Sequence, residues 1–185
     1  MYEIIMAGFG GQGIMSMGQL LTYAGMLEDK AVTWMPSYGP EMRGGTANCT
    51  VVITEEEQVG SPIVSNPDIL IAMNYPSVLK FKESIKDNGI LVYNSSLIEN
   101  EVKIEAETNV SIYPVPANEM ANDLGNPRIA NMVVLGALIE LTNVVSIESV
   151  LESLKKVLPE RRHNLIPLNE KALRKGAEMV KASTA

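Results

Sequence analysis

The order of the first elements of the chain is set by one glycine-rich run, Met6-Ala7-Gly8-Phe9-Gly10-Gly11-Gln12-Gly13. An apolar run at residues 3–7 precedes it and is typical of a buried strand. After it, apolar residues recur at steps of three and four over residues 14–27, the pattern of an amphipathic helix. A second apolar run at residues 31–35 predicts another strand. Strand, glycine loop, helix and strand in this order predict a layered α/β fold.

Farther along the chain, the pattern of apolar residues predicts the rest of the sheet and its helices. Strands are predicted over residues 46–54, 69–73, 90–93 and 110–113, and helices over residues 76–86, 117–124, 129–141, 147–158 and 168–181. The strand at 46–54 is expected to run back across the sheet, and the helix at 129–141, apolar almost all round, is expected to be buried. We therefore predict one three-layer α/β domain over residues 1–185, with a mixed, mostly parallel sheet and a helical C-terminal third.

The composition is that of an ordinary globular protein. The chain has 185 residues, of which 46% are hydrophobic and 20% charged, and this length and balance suit one folded domain. It has one cysteine, Cys49, and one histidine, His163, which excludes a disulfide framework, a multi-histidine metal site and a cysteine-ligated iron–sulfur cluster. We expect Cys49 to be a small buried thiol, and His163 to be exposed or paired with a helix end.

The charge is negative and unevenly spread. The formal net charge is −7, so a nucleic-acid-binding surface is not expected. Residues 1–150 carry 7 Lys and Arg against 18 Asp and Glu, whereas residues 151–185 carry 8 against 4. The basic C-terminal segment either docks an acidic neighbour or is a solvated helical face. No apolar run approaches the ~20 residues that span a bilayer and no basic leader is visible, so we expect a cytoplasmic protein without a membrane contact.

The glycines Gly8, Gly10 and Gly13 have the spacing Gly-x-Gly-x-x-Gly between a strand and a helix. Such glycines allow a tight turn and a close approach of the backbone, and the helix N-terminus offers N–H groups to a phosphate. A dinucleotide site also needs a carboxylate near the end of the second strand, and residues 33–37 contain none. Three interpretations stay open: a dinucleotide site, glycines needed only for packing, and a loop that contacts an anion or a partner through its backbone.

A second loop is predicted over residues 35–45, which hold two prolines and three glycines. Its end, Arg43-Gly44-Gly45, would place a guanidinium on a glycine-hinged segment that can grip a carboxylate or phosphate through two hydrogen bonds. Alternatively, Tyr38, Glu41 and Arg43 form an interface plug. Arg128, which precedes the buried helix, either joins the two loops or is a helix-start or surface charge.

The two glycine motifs together resemble those of one family. Residues 6–13 and the run Ser37-Tyr38-Gly39-Pro40-Glu41-Met42-Arg43-Gly44-Gly45 resemble the gamma subunit of 2-oxoacid:ferredoxin oxidoreductases. The resemblance continues through residues 65–68 and 125–132 and covers roughly residues 3–140. It implies a gamma-type domain in an enzyme that oxidatively decarboxylates a 2-oxoacid with coenzyme A, giving an acyl-CoA, carbon dioxide and reduced ferredoxin. It also implies that this chain is not catalytic alone.

The same resemblance implies cofactors and partners. Thiamine diphosphate, Mg and 4Fe-4S clusters are expected on partner subunits, coenzyme A is expected as co-substrate, and no cofactor is expected to be bound by this chain alone. The expected partners are the alpha and beta subunits, with a delta subunit as a further candidate and ferredoxin reached through the complex. The loop at residues 37–45 looks more like the 2-oxoglutarate and branched-chain members than the pyruvate ones. The favoured substrate is therefore 2-oxoglutarate, and the next is 2-oxoisovalerate.

Three roles for the chain itself are open as hypotheses. In the first, the two loops bind coenzyme A phosphates or a neighbouring subunit, and the candidate residues are Gly8, Gly10, Gly11, Gln12, Gly13, Arg43, Gly44 and Arg128. In the second, these loops only pack onto the alpha subunit, and the chain is a scaffold. In the third, from another class, the chain is a free-standing nucleotide-binding or regulatory α/β domain. No catalytic residue and no metal ligand is predicted.

Overall fold

The computed structural model describes residues 1–38, 46–56, 61–98, 102–103 and 109–184. The described strands are β1 (Tyr2–Phe9), β2 (Ala31–Tyr38), β3 (Thr46–Thr54), β4 (Ile69–Ala72), β5 (Ile90–Asn94) and β6 (Ser111–Val115). The described α-helices are α1 (Ile14–Leu27), α2 (Tyr75–Phe81), α3 (Ala117–Asp123), α4 (Ala130–Thr142), α5 (Ile147–Val157) and α6 (Ile166–Thr184). Short 3₁₀ segments lie at Lys82–Ser84, Ser95–Leu97, Pro127–Ile129 and Glu160–Leu165. None of the described helices combines the length and the apolar character that a membrane span requires.

The strands form one mixed sheet in the order β2-β3-β1-β4-β5-β6. β1, β4, β5 and β6 run parallel, whereas β3 pairs antiparallel with both β1 and β2. The register places Met6 between Cys49 of β3 and Ile71 of β4. The expectation that residues 46–54 run back across the sheet is therefore confirmed. Together with the helices after β6, this sheet confirms the predicted α/β class with a helical C-terminal third.

Alternate residues of the central strands face two separate apolar layers, because side chains alternate along a strand with a period of two. Ile4 and Met6 of β1 pack in the larger layer with α1, α3, α4, α5 and α6, whereas Ile5 and Ala7 pack in the smaller layer with α2. The sheet therefore has helices on both faces, as a three-layer domain requires. Cys49 is fully buried in the larger layer, and burial raises the pKa of its thiol to about 11. The expectation of a buried thiol is confirmed.

The helix α4 is buried all along its first ten residues, from Ala130 to Ile139, as its apolar sequence predicts. Two glycines allow α6 to approach it closely. A Cβ at Gly136 would overlap the carbonyl oxygen of Leu173, and a Cβ at Gly176 would overlap the carbonyl oxygen of Val133. The two helices therefore cross with their backbones in contact.

Two strands continue through a proline at which the prediction ends them. β2 continues to Tyr38 and takes in residues 35–38 of the predicted loop, whereas residues 39–45 lie outside the described residues. β6 continues through Pro114. Proline lacks the N–H that a central strand must donate, but β2 and β6 are the two edge strands of the sheet, where one side has no partner strand. Pro36 and Pro114 are therefore tolerated inside the strands.

The helix predicted over residues 76–86 is shorter than expected. α2 ends at Phe81, a 3₁₀ segment continues to Ser84, and Ile85 has extended backbone angles. The side chain of Ile85 is buried in the smaller apolar layer. An extended residue at this point turns that side chain towards the sheet, and this burial accounts for the early end of the helix.

Candidate functional site

The candidate site lies at the C-terminal ends of the parallel strands. The chain leaves β1 towards α1, which packs in the larger apolar layer, whereas it leaves β4 towards α2, which packs in the smaller layer. In α/β sheets a crevice opens where neighbouring strands send their connections to opposite faces, and ligands bind there. Such a crevice lies between the ends of β1 and β4. The glycine loop, residues 8–13, borders it.

Two residues of the glycine loop have backbone angles that favour glycine. Gly11 and Gly13 have φ values of 95° and 77°, in the left-handed region that favours glycine. Gly13 is also covered by α4, because a Cβ at this position would overlap the side-chain amide of Asn131. The helix α1 starts directly after Gly13, with no side-chain cap and no acidic residue in its first turn. The first N–H groups of α1 are therefore not taken by a side-chain cap.

The side chain of Gln12 fills the crevice. Its Oε1 accepts hydrogen bonds from the backbone N–H of Phe9 at 2.7 Å and from Nδ2 of Asn74 at 3.1 Å. Its Nε2 donates to the carbonyl oxygen of Met73 at 3.1 Å. Gly8 leaves room for this amide, since a Cβ there would lie 2.7 Å from Oε1 of Gln12. The chain's own amide thus occupies the crevice between the ends of β1 and β4.

The strand order is a second departure from the dinucleotide-binding fold. In that fold the second strand lies beside the first, and a carboxylate near its end reaches the ribose. Here β3 lies between β1 and β2, and β2 carries Ser37 near its end. The fold therefore does not support the dinucleotide interpretation of the glycine spacing.

Beside the Gln12 amide lies a cavity of about 200 Å³. Its lining joins the glycine loop to the start of α4, and it consists of Gly11, Gln12, Met73, Asn118, Pro127, Arg128, Ala130 and Asn131. Three of the predicted candidates, Gly11, Gln12 and Arg128, are thus brought together. Of the remaining candidates, Gly10 and Gly13 lie in the same turn and Gly8 lies in the last part of β1, whereas Arg43 and Gly44 lie outside the described residues.

Arg128 contributes its exposed side chain to this cavity. Its backbone N–H donates to Oδ1 of Asn126 at 3.1 Å, and Asn126 caps the 3₁₀ segment that leads into α4. Its guanidinium makes no ion pair with any residue that the structure describes. The backbone of Arg128 therefore serves the helix start, while the guanidinium is available to a ligand or a partner.

The asparagines around the cavity are not among the residues predicted from the sequence. Nδ2 of Asn94 donates to Oδ1 of Asn118 at 2.7 Å, and Nδ2 of Asn131 lies 3.5 Å from the carbonyl oxygen of Gly13. Asn94 is fully buried, and its Oδ1 has no hydrogen-bond partner among the described residues. One signal could have found part of this set. Asn74 and Asn94 each follow directly after an apolar run that predicts a buried strand, at the strand ends where ligands gather.

Other features of the described chain lie away from this cavity. Nε2 of His163 lies 3.0 Å from the carbonyl oxygen of Leu158, which confirms the expected helix-end pairing. In the described ranges, no three His, Cys, Asp or Glu side chains are grouped as a metal site would require. A cavity of about 500 Å³ lies at the opposite end of β1, near its N-terminus, where Lys30 donates from Nζ to the carbonyl oxygen of Val144 at 2.7 Å. Ligands of α/β sheets bind at the C-terminal ends of the strands, so this cavity is not the candidate site.

Comparison with known proteins identifies the family. Residues 3–179 match the family described as pyruvate ferredoxin/flavodoxin oxidoreductase. The chain is 40% identical over 177 residues to the ketoisovalerate oxidoreductase subunit VorA of Methanothermobacter thermautotrophicus, covering 95% of this chain and 36% of that protein. It is 40% identical over 161 residues to the 2-oxoglutarate synthase subunit KorC of Methanothermobacter marburgensis, covering 85% of this chain and 86% of that protein. The chain thus spans about a third of the length of VorA and most of KorC.

Two solved structures share the fold. The gamma subunit of a keto/oxoacid ferredoxin oxidoreductase from Geobacter sulfurreducens is 30% identical, with a TM-score of 0.79, over 98% of this chain and 99% of that chain. A 2-oxoglutarate:ferredoxin oxidoreductase from Magnetococcus marinus, solved with 2-oxoglutarate, coenzyme A and succinyl-CoA bound, is 29% identical. Its TM-score is 0.87, over 98% of this chain and 31% of that chain. These matches confirm the resemblance carried by the two glycine motifs, and the chain belongs to the pyruvate ferredoxin/flavodoxin oxidoreductase family.

Proposed function

We propose that this chain is a gamma-type subunit of a 2-oxoacid:ferredoxin oxidoreductase, which converts a 2-oxoacid and coenzyme A to an acyl-CoA, carbon dioxide and reduced ferredoxin. The observation that carries the proposal is the match to a whole gamma subunit, the Geobacter sulfurreducens chain, over 99% of its length. The redox chemistry is assigned to other chains, because one cysteine and one histidine cannot supply the ligands of a 4Fe-4S cluster. In this proposal the chain is a scaffold with no catalytic residue of its own.

The proposed partners are the alpha and beta subunits, with a delta subunit as a further candidate. Thiamine diphosphate, Mg and the 4Fe-4S clusters would be held by these partners, and ferredoxin would meet the complex rather than this chain alone. The lengths of two relatives support this assignment of partners. The match covers only 36% of VorA and 31% of the Magnetococcus marinus chain, so in both relatives the matched domain is joined to further chain. The expected location is the cytoplasm, away from membranes and nucleic acid.

The proposed substrate is 2-oxoglutarate, with 2-oxoisovalerate next. KorC, a 2-oxoglutarate synthase subunit, is matched over most of its length at 40% identity. VorA, a ketoisovalerate oxidoreductase subunit, is 40% identical as well, so identity alone does not rank the two substrates. The Magnetococcus marinus enzyme adds weight to 2-oxoglutarate, since its structure contains that substrate and matches this chain with a TM-score of 0.87.

We further propose that the cavity beside the glycine loop contacts coenzyme A. The guanidinium of Arg128 can bind a phosphate through two N–H groups, and the uncapped start of α1 attracts negative charge. Arg43 and Gly44 of the second loop complete the proposed set. The competing interpretation is that these residues contact only the alpha subunit. Both interpretations use the same exposed groups, so an experiment must separate them.

The subunit proposal is tested by anaerobic purification from the native host through a tag on this chain. We expect co-purifying subunits, bound iron and thiamine diphosphate, and reduction of a ferredoxin mimic that depends on a 2-oxoacid. The preferred 2-oxoacid then identifies the substrate. A chain that purifies alone, without either cofactor, would contradict the proposal and would return attention to a free-standing regulatory domain.

The coenzyme A contact is tested by Arg128→Ala in the assembled complex. If the guanidinium binds a phosphate, the apparent KM for coenzyme A rises about tenfold or more, because a hydrogen bond to a charged group contributes roughly 1.5–3 kcal/mol. The KM for the 2-oxoacid should not change. Arg174→Ala, an exposed arginine outside the cavity whose ion pairs lie within the chain, is the matched control. An unchanged KM together with loss of the alpha subunit would instead support the scaffold interpretation.

A further inference from the structure

We infer that the outward face of α2 is the surface on which the partner subunit that holds thiamine diphosphate docks. This face consists of Tyr75, Pro76 and Leu79, and we call it the α2 surface. The inference rests on the proposed function, which assigns thiamine diphosphate to a partner subunit. It follows from the residues that α2 exposes and buries, from the charges around the helix and from its position beside the candidate cavity.

The helix α2 exposes apolar residues and buries a polar one. Tyr75 and Leu79, one turn apart, are 39% and 53% exposed, and Pro76 is exposed beside them. On the inner side, Val78 packs in the smaller apolar layer, while Ser77 is buried and its Oγ has no hydrogen-bond partner among the described residues. A helix whose outer side faces water normally carries polar residues there. The pattern of α2 is therefore that of a helix covered on both sides.

Exposed apolar residues also lie on other segments that cover the smaller layer. Ile63 and Leu97 are exposed, and their neighbours in the chain, Val64 and Ile98, pack in that layer. A concentration of exposed apolar side chains is typical of an interaction surface, whereas single ones are not. The apolar area thus extends beyond α2 and belongs to one side of the sheet.

The charges around the α2 surface are matched within the chain. Lys80, the one charged residue of α2, has its Nζ 4.9 Å from the centre of the Phe81 ring. Lys82 pairs with Glu83 at 3.1 Å. A partner on this surface is therefore held by the burial of apolar area rather than by opposite charge. This distinguishes the α2 surface from the basic C-terminal segment.

The position of the α2 surface indicates which partner covers it. Met73 lines the candidate cavity, Asn74 donates to the Gln12 amide beside that cavity, and Tyr75 begins the α2 surface. In the proposed function, coenzyme A that contacts this cavity reacts at thiamine diphosphate, so the subunit that holds thiamine diphosphate must reach this end of the sheet. A second copy of this chain on the α2 surface would block that approach. The subunit that reaches the cavity therefore also covers the surface next to it.

Cysteine labelling tests where the partner docks. The chain's own thiol, Cys49, is fully buried with its pKa raised to about 11, so it should not react with a maleimide, and Leu79→Cys adds one reactive thiol. We expect residue 79 to be labelled about tenfold more slowly in the assembled complex than in the full chain purified by itself, because a partner excludes the reagent. Mass spectrometry of this chain's peptides measures the rates. Met26→Cys, at an exposed apolar residue of α1, is the matched control and should be labelled equally in both.

A double variant, Tyr75→Gln with Leu79→Gln, measures what the contact contributes to assembly. It removes the apolar side chains without a change in charge, and we expect thiamine diphosphate and its subunit to dissociate from the tagged chain at a protein concentration about tenfold higher. The ratio to the wild-type complex should not depend on the salt concentration, because no ion pair is lost. Both side chains are exposed, so thermal unfolding of the full chain by itself should not change. Met26→Gln with Leu27→Gln, the same change at exposed residues of α1, is the control.

The outcomes separate the inference from the proposed function. If residue 79 is labelled equally in the complex and in the chain by itself, and the double variant assembles like the wild-type chain, the docking surface is overturned and the proposed function stands. Protection that appears in the chain by itself and rises with its concentration would show a second copy on this surface. Loss of another subunit while thiamine diphosphate is retained would show a different partner, and either result overturns the assignment. If the wild-type chain purifies without partners, the proposed function and the inference both fail.

Discussion

The amide of Gln12 links the ends of β1 and β4 through hydrogen bonds to Phe9, Asn74 and Met73. A neutral hydrogen bond contributes about 1 kcal/mol net, and removal of one partner leaves the other groups unpaired. Gln12 therefore holds the glycine loop in place, and its side chain is not free for a ligand. The guanidinium of Arg128 lines the same cavity and is exposed.

Glu28, just after α1, has a carboxylate that stays ionised to low pH. Burial raises its pKa, but hydrogen bonds from the backbone N–H and hydroxyl of Ser146, from Ser149 and from Lys30 outweigh burial and lower the pKa to about 2. The ordinary value is 4.5. The ionised carboxylate therefore stabilises the folded chain above pH 4.5, and this stabilisation is lost as the pH falls from about 4.5 to about 2.

Glu28→Gln tests this dependence. Between pH 7 and pH 3 we expect the wild-type chain to lose about 2 kcal/mol of unfolding free energy through this one group, a loss that the variant lacks. Urea unfolding at the two pH values measures the difference, with Glu119→Gln on the exposed side of α3 as the control. The same pH dependence in the wild-type chain and in Glu28→Gln would show that the carboxylate is not ionised preferentially in the folded state.

At the scale of elements, the crossing of α4 and α6 depends on two glycines. Gly136 faces the backbone of Leu173, and Gly176 faces the backbone of Val133, at a separation that leaves no room for a Cβ. Each helix thus carries a glycine opposite a carbonyl oxygen of the other. The helix α4 is buried along most of its length, and Asn131 near its start lines the cavity. The crossing with α6 therefore also holds this part of the candidate site in position.

Gly136→Ala should therefore destabilise the chain strongly, by about 3 kcal/mol or more, because the backbone of α6 must move away. Gly25→Ala in α1 is the matched control. Its added Cβ would meet Cδ1 of Ile53 at 2.6 Å and Cγ1 of Val32 at 2.7 Å, which are the ends of side chains that can shift. Chemical denaturation of both variants provides the comparison. A smaller loss in Gly136→Ala than in Gly25→Ala would contradict the backbone contact.

At the scale of the whole molecule, the basic residues of the C-terminal segment fall into two groups. Arg174 pairs with Glu148 and Glu170, and Lys175 pairs with Asp123. The exposed Arg161 and Arg162, together with Lys156 and Lys171, make no ion pair in the part of the chain that the structure describes. The unpaired group is the one that can dock an acidic neighbour.

The double variant Arg161→Glu with Arg162→Glu tests whether this surface docks a partner subunit. We expect the partners to dissociate from the tagged chain at a lower salt concentration than in the wild-type complex, because attraction is replaced by repulsion. The control is Arg174→Glu with Lys175→Glu, which makes the same change in charge at side chains that pair within the chain. Equal effects of the two double variants would favour a solvated helical face over a docking surface.

Most elements could be predicted from the sequence because their signals are local. The unit of β1, glycine loop and α1, and the apolar α4, follow from residues that are neighbours along the chain. The errors lie at Pro36, Pro114 and Ile85. A proline ends a central strand but not an edge strand, and whether a strand is at the edge depends on the order of the whole sheet.

The sequence by itself determined the α/β class, the family resemblance and the presence of a glycine turn between the first strand and the first helix, since each depends on residues close together in the chain. Only the tertiary structure decided how the loop is used. Gln12 meets Asn74, 62 positions away, and Asn131 lies over Gly13 from 118 positions away. These contacts follow from strand order and from the position of α4, and a repeating pattern of apolar residues does not encode either.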